Sequence, residues 1–453
     1  MCMSSLFSDH IPLPPQSMAA SVVNRVSGHV ENRSRRTLGL FLHLIIFFTP
    51  LYLYPGQWSL GELTKQSFFL CMLAVACIAC VKMILQEQKI HWPKNWLHLV
   101  PLLFVTGYGL IATQPTDLFP SWFGTSTQSA WSVITVVGYL VFYVLLLQHM
   151  RSTGHLYRLL LTFFLSSTLM AFGGILCLLI TTLVPGWGAS WQGWTPVGTI
   201  YSLGFFLAPT ILSAFVLLHE MGQGKACPIG QHTRVTRVCF WMSVLTLVVS
   251  LGFIGLLSLR SLWIVILLSL LVVMACHGWQ ARGRRLVWKP WLWLVLASSV
   301  CLFLIFVRIP FHPSIPPEVS PNLTASWLIA KQVLHQHPVV GFGPETWGEA
   351  YIRFRPMEIN LYPFWEIRFD RGYSSVLTSF ATVGIAGVLL LLVLLFAPAV
   401  KTISYFYRKP VDERWWTSLI VFAGWLAITG VFFTYNVTIA HQMVWWLFTA
   451  MLS

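Results

Sequence analysis

Long apolar stretches alternate with short polar ones along almost the whole chain. Twelve of them approach the roughly 17–25 residues that cross a hydrocarbon layer of about 30 Å. Because lipid offers the backbone no hydrogen-bond partners, each is predicted to be a helix. The pattern predicts an all-α, polytopic membrane protein of about 12 transmembrane helices, from apolar stretches at residues 37–54, 67–84, 96–112, 129–147, 159–183, 198–218, 238–257, 261–276, 291–307, 375–399, 416–433 and 437–451.

One long polar segment interrupts this alternation between the ninth and tenth stretches. It divides the chain into four predicted parts. Residues 1–36 are polar and contain prolines, and we interpret them as a disordered cytoplasmic tail. Residues 37–307 hold the first nine helices, residues 308–374 form the long loop, and residues 375–453 hold the last three helices.

The charge distribution predicts an orientation in the membrane. Only 9% of residues are charged and 56% are hydrophobic, which no soluble domain of this size needs. Twenty of the 28 lysines and arginines fall in the N-terminal tail and the even-numbered connections. The positive-inside rule therefore predicts cytoplasmic termini and an outward-facing 308–374 segment. Topology and anionic lipid explain most of the net charge of +14, so nucleic-acid binding is not required.

The outward segment interleaves basic and aromatic residues. An apolar pattern with helical spacing follows Asn322 and stops at Pro338, which predicts an amphipathic helix on the outer membrane surface. Forked guanidinium groups suit diphosphate, and aromatic faces pack against sugar rings. Alternatively, the basic residues pair with neighbouring acids and anchor the loop to headgroups. The six basic residues are Arg308, Lys331, Arg353, Arg355, Arg368 and Arg371.

Four short motifs resemble the O-antigen ligase and polymerase family of membrane glycosyltransferases. Residues 198–208 (GTIYSLGFFLA) are similar to the family's entry to a middle span, and residues 257–263 (LSLRSLW) to its outward arginine turn. Residues 327–343, from Trp327 to Gly343, are similar to its tryptophan and glycine-proline element. Residues 369–377 (FDRGYSSVL), followed by 384–387 (GIAG), are similar to its D-R-x-H-N and G-x-x-G pair.

The resemblance implies a location in the cytoplasmic (inner) membrane, a reaction and a set of partners. The donor would be an undecaprenyl-diphosphate-linked glycan, and the acceptor a hydroxyl on another glycan, a lipid or a protein. Neither a metal nor another cofactor is implied, and membrane lipids are the remaining partners. Arg260 matches the family's outward arginine, which is thought to bind the diphosphate. We expect it to converge with the outward arginines on one cavity; the diphosphate-binding candidates are Arg260, Arg353, Arg355, Arg368 and Arg371.

The chain departs from the family at the proposed catalytic base. Tyr373 and Ser374 stand where the family has histidine and asparagine. A tyrosine with an ordinary pKa near ~10 is a poor base at neutral pH. Tyr373 is therefore predicted to donate a hydrogen bond. The base is sought first in Asp370, which lies three residues back on the same helical face if the helix includes it, then in Glu345 and His337. Each of these three also has a structural interpretation as a residue at a helix end.

Two other functional classes stay open. A flippase or transporter for a lipid-linked glycan is the first, although few ionisable groups fall within the apolar stretches. A catalytically degenerate family member, retained for binding, is the second. The donor glycan, the acceptor, the choice between ligase and polymerase, and the oligomeric state are not specified by the sequence.

Overall fold

The computed structural model describes residues 16–52, 61–90, 95–114, 118–184, 193–222, 233–257, 259–280, 288–307, 318–361, 365–409 and 412–453. Within these residues the protein is nearly all α-helical, as predicted. One antiparallel two-stranded ladder pairs β1 (Trp194–Thr195) with β2 (Gly198–Thr199). Arg308 and the prolines up to Pro317 lie outside the described residues.

The helices follow the predicted order. The first eight are α1 (Gln16–Leu51), α2 (Gly61–Glu87), α3 (Leu99–Ile111), α4 (Leu118–Phe123), α5 (Val133–His149), α6 (Thr153–Leu183), α7 (Ile200–Gly222) and α8 (Thr233–Leu257). The other eight are α9 (Arg260–Gln280), α10 (Trp288–Phe306), α11 (Leu323–Gln336), α12 (Trp347–Phe354), α13 (Ser375–Thr382), α14 (Gly384–Arg408), α15 (Glu413–Thr434) and α16 (Ile439–Leu452). Short 3-10 turns cover Trp96–His98 and Met357–Leu361.

Seven of the described helices are long and apolar enough to cross a membrane, which indicates a membrane protein. They are α2, α6, α7, α8, α9, α14 and α15. Each of the twelve predicted stretches overlaps a helix, but several of these helices are shorter than a full span. The total of twelve spans therefore stays a prediction. Helix α1 begins at Gln16, within the segment interpreted as a tail.

Three helices form the centre of the bundle. Helices α7, α15 and α16 are buried on nearly all sides, and α15 packs against both α7 and α16. Their sequences are apolar around the whole circumference, which is the pattern of a helix enclosed by other helices. The outer helices expose large apolar side chains, such as Ile78, Leu85 and Phe306, as a lipid-facing surface requires.

The segment between α10 and α13 builds a small core of its own. Ile329, Val333, Trp347, Tyr351 and Phe369 are buried together where α11 and α12 meet α13. Helix α11 corresponds to the amphipathic helix predicted from the sequence. Its opposite face leaves three apolar side chains exposed, those of Leu323, Trp327 and Leu328.

The tenth predicted stretch is divided into two helices. Helix α13 ends at Thr382, and α14 begins at Gly384, whose φ is +62°. Glycine reaches this left-handed region without a steric penalty. The helix break lies beside the segment between α10 and α13 and shapes the site described next.

Candidate functional site

A small polar pocket lies where α2, α13 and α16 begin and α3 and α15 end. It encloses about 40 Å³, which is room for a few water molecules or a single functional group. We call this side of the bundle the pocket end; the topology predicted above makes it the outward side. The pocket is lined by Glu62, Tyr108, Thr127, Gln128, Ala130, Trp131, Glu345, Arg371, Ser375, Thr378, Ser379, Thr382, Asn436, Val437 and Thr438.

A tight turn brings Glu345 to the pocket. Its backbone φ is +58°, a strained value for a residue with a side chain. The Ser121 hydroxyl donates to the carbonyl of the preceding Pro344 at 2.8 Å. The backbone N–H of Trp131 donates to Glu345 Oε1 at 2.7 Å. The neighbouring structure therefore holds both the backbone and the carboxyl group in place.

The turn is anchored to the helix break by four backbone hydrogen bonds. The N–H groups of Phe342 and Gly343 donate to the last carbonyls of α13, those of Ala381 and Thr382. The first N–H groups of α14, at residues 385 and 386, donate to the carbonyls of residues 338 and 339. Each helix end thus finds partners for groups that have none within the helix. The helix break and the turn therefore satisfy each other's backbone hydrogen-bonding groups.

The close approach of these two backbones requires glycine at both positions. A Cβ at Gly341 would lie 2.6 Å from the Ala381 carbonyl oxygen, and one at Gly384 would lie 2.5 Å from that of Val339. Both residues also have positive φ. The glycines of the sequence motif therefore have a positional role, because they bring Glu345 within reach of the pocket.

The surroundings of Glu345 change its acidity. Burial raises its pKa to about 7, and the negative charges of Asp370 and Glu62 act in the same direction. The Trp131 hydrogen bond and Arg371 act the other way but do not cancel the effect. A carboxyl with a pKa near neutrality exchanges protons readily at physiological pH, which is the property of a general acid or base.

Arg371 provides a positive charge in the pocket. Its Nε donates to Asp370 Oδ1 at 3.2 Å. Burial alone would lower the pKa of the guanidinium, but Asp370, followed by Tyr435 and Glu318, raises it above its ordinary value. Arg371 therefore stays charged throughout the physiological range.

A second set of polar groups surrounds Arg371. The Tyr435 hydroxyl donates to Glu318 at 2.8 Å, and the Thr199 hydroxyl donates to the same carboxylate at 2.9 Å. Burial and the charge of Glu318 raise the pKa of Tyr435, so it stays a donor. The Asn436 amide donates to the Gly372 carbonyl and accepts from the Thr378 hydroxyl. These contacts fix the backbone next to Arg371.

The sequence interpretation missed four of these residues: Glu62, Glu318, Tyr435 and Asn436. Tyr435 and Asn436 lie in a connection of three residues between two predicted helices, and polar groups there are costly enough to have been a signal. Glu62 lies three residues before Lys65, one of the few basic residues outside the predicted cytoplasmic connections. Glu318 had no comparable signal.

One of the five predicted diphosphate-binding arginines lines the pocket. Among the described residues that line the pocket, Arg371 is the one arginine. Arg353 pairs with Glu349 and lies over the Phe342 ring at 5.2 Å, whereas Arg355 donates to the Trp365 carbonyl at 2.8 Å. Two further candidates, Arg260 and Arg368, are exposed. The carboxylates around Arg371 outnumber the cations, so the pocket differs from the predicted arginine cluster.

Of the remaining catalytic candidates, Tyr373 and His337 do not line the pocket. Tyr373 is partly exposed, is not among the lining residues, and donates its backbone N–H to the Ser326 hydroxyl at 2.9 Å. His337 is an exposed residue at the C-terminal end of α11. Ser374 caps the N-terminus of α13, so Asp370 and Tyr373 both precede the helix and do not share a helical face. Of the candidate bases, Glu345 lies in the pocket.

No protein-family model matches this chain, and no curated protein matches it. Its functional assignment therefore depends on the motifs and on the geometry of the pocket.

Proposed function

We propose that this protein transfers a glycan from a membrane-embedded diphosphate carrier to an acceptor hydroxyl at the outward face of the cytoplasmic membrane. The observation that carries the proposal is the proximity of a carboxyl with a near-neutral pKa, Glu345, to a permanently charged guanidinium, Arg371, in one pocket. Glycosyl transfer needs a base for the incoming hydroxyl and a cation for the leaving group. The motif resemblance supports the same reaction class.

Each group has a defined role in the proposed step. The acceptor oxygen attacks the anomeric carbon and forms the new glycosidic bond. The bond from that carbon to the diphosphate oxygen breaks, and the electron pair leaves with the diphosphate. Glu345 receives the proton of the acceptor hydroxyl, while Arg371 donates hydrogen bonds to the oxygen that gains negative charge. Asp370 orients Arg371 and does not need to take part in proton transfer.

The size of the pocket limits what it can hold. A volume of about 40 Å³ accommodates the reacting groups but not a whole sugar. The glycan therefore lies outside the pocket in this proposal. The exposed apolar face of α11, with Leu323, Trp327 and Leu328, is suited to contact the outer leaflet beside the carrier lipid.

One observation favours transport as a second candidate function. A cavity of about 570 Å³ lies at the other side of the bundle, which we call the opposite end, and it is lined by the cationic side chains of Arg151, Lys401 and Arg414. Such a basic cavity between helices suits an anionic headgroup. If the predicted topology holds, it opens toward the cytoplasm, where a flippase would collect its substrate.

A proteoliposome assay separates the two functions. Purified protein is reconstituted with a fluorescent lipid-diphosphate glycan and a glycan acceptor. Transferase activity consumes the donor and releases the lipid diphosphate, and its rate should rise as pH increases through about 7, because Glu345 must lose its proton. Transport moves the intact donor between leaflets without cleaving it. Transbilayer movement of the donor without its cleavage, whichever acceptor is supplied, would refute the transferase proposal.

A further inference from the structure

Three potential metal ligands meet at the opposite end of the bundle, far along the helices from the pocket. His219 and Glu220 are near the C-terminus of α7, and His277 is near the C-terminus of α9. One ligand atom from each lies within 4.8 Å of the others. His219 Nε2 and Glu220 Oε1 are 4.0 Å apart. Among the described residues, this is the group whose spacing suits a metal ion.

The three side chains are sheltered from solvent. The side chains of His219 and Glu220 are only 5% and 4% exposed, and both ring nitrogens of His277 are buried. The His277 ring also packs against Trp416, with a centroid distance of 5.6 Å.

The donor set identifies the kind of cation. Two imidazoles and one carboxylate suit zinc better than magnesium or calcium, which prefer oxygen ligands alone. Tetrahedral zinc needs donor atoms about 3.3 Å apart, given bonds of about 2.0 Å. The observed ligand atoms lie within 4.8 Å of one another, so zinc binding requires them to move closer together. Three protein ligands leave a fourth position for water.

We propose that His219, Glu220 and His277 bind one zinc ion that links the ends of α7 and α9. This site is separate from the proposed transfer reaction and does not depend on it. Because the ligands come from two helices, the ion is expected to stabilise their packing. No ligand of the proposed site belongs to the pocket.

The test measures metal in the full-length protein, purified in detergent with an affinity tag that lacks histidine. Elemental analysis after dialysis should find one zinc per chain. Removal of zinc with a chelator should lower the thermal unfolding midpoint, and added Zn²⁺ should restore it. His277→Ala and the nearly isosteric Glu220→Gln should each lose the bound zinc and the response to added Zn²⁺.

The control is His335→Ala, which removes an exposed histidine of α11 and should keep one zinc per chain. If both ligand variants fail to fold, cobalt binding to the wild-type protein is measured instead. Tetrahedral cobalt gives strong visible absorption, and stoichiometric zinc should abolish it. Either of two results would overturn the proposal. The wild-type protein could bind neither zinc nor cobalt, or folded ligand variants could retain one zinc per chain.

Discussion

The two polar ends of the bundle are built on the same helices but differ in size and charge. Helix α15 begins beside the wide cavity near Arg414 and ends beside the narrow pocket near Asn436. The pocket encloses about 40 Å³ and contains more carboxylates than cations, whereas the opposite cavity encloses about 570 Å³ and is lined by three cations. The bundle alone therefore does not determine the chemistry of its ends.

The connections account for the difference. At the pocket end, the 318–374 segment is long enough to form its own core and to press the Glu345 turn onto the helix break. At the opposite end, the connection between α5 and α6 is only a few residues long and cannot fill the space between the helices. A long segment yields a narrow, strained site, and short connections leave an open one.

The largest effect is expected from Glu345→Gln. The amide keeps the shape of the carboxyl and can accept the Trp131 hydrogen bond, but it cannot take up the acceptor's proton. We expect glycan transfer in proteoliposomes to fall by at least about 100-fold. The matched control is Glu349→Gln, which changes an exposed carboxylate four residues further on. Equal losses of transfer activity in both variants would show that Glu345 has no role different from that of an exposed carboxylate.

Arg371→Lys should have the next largest effect. Lysine keeps the charge but loses the forked hydrogen bonds, at a cost of about 2 kcal/mol, or about thirtyfold in the transfer rate. The control, Arg408→Lys, changes an exposed arginine at the far end of α14 and should retain the wild-type rate. An unchanged rate for Arg371→Lys would leave the guanidinium as a structural partner of Asp370.

Gly384→Ala tests whether the helix break supports the narrow pocket. Its Cβ would meet the Val339 carbonyl oxygen at 2.5 Å, and alanine is strained at this φ. We expect the free energy of unfolding to fall by about 2 kcal/mol, measured from thermal unfolding in detergent. Gly173→Ala is the control, because a Cβ there has no neighbour within 4 Å. Similar losses in both would contradict the role of the close approach.

The smallest effect concerns the pH dependence of stability. Below pH 4.5, Glu345 is protonated in both folded and unfolded chains and has no influence. Between pH 4.5 and about 7, the unfolded chain releases the proton first, so the wild type loses stability relative to Glu345→Gln as pH rises. Because Glu345 is only partly buried, solvent screens its charge, and we expect about 1 kcal/mol, less than the full shift in pKa would give, constant above about pH 8. Parallel stability curves would show that the pKa of Glu345 is not raised.

Much of the candidate site could be predicted only as a set of alternatives. The motifs and the segment around them point to Glu345, Asp370 and Arg371, but they place Asp370 ahead of Glu345 as the base. Asp370 ranked first as a base on the assumption that it shared a helical face with Tyr373; α13 begins after both. Glu62 and Asn436 are far from these residues in the chain, and no local pattern connects them to the pocket.

The apolar pattern by itself determined that the chain is helical and that several helices suit a membrane, because the need to bury apolar surface and to pair backbone groups acts within each stretch. It also predicted α11, whose bounds of Leu323–Gln336 agree with a pattern that follows Asn322 and stops at Pro338. Only the tertiary structure decided that the tenth stretch breaks at Gly384 and that Glu345, instead of the arginine cluster, lies with Arg371. Those outcomes depend on contacts between segments that are far apart in the chain. At such a contact, a single carbonyl group or glycine determines which side chain reaches the pocket.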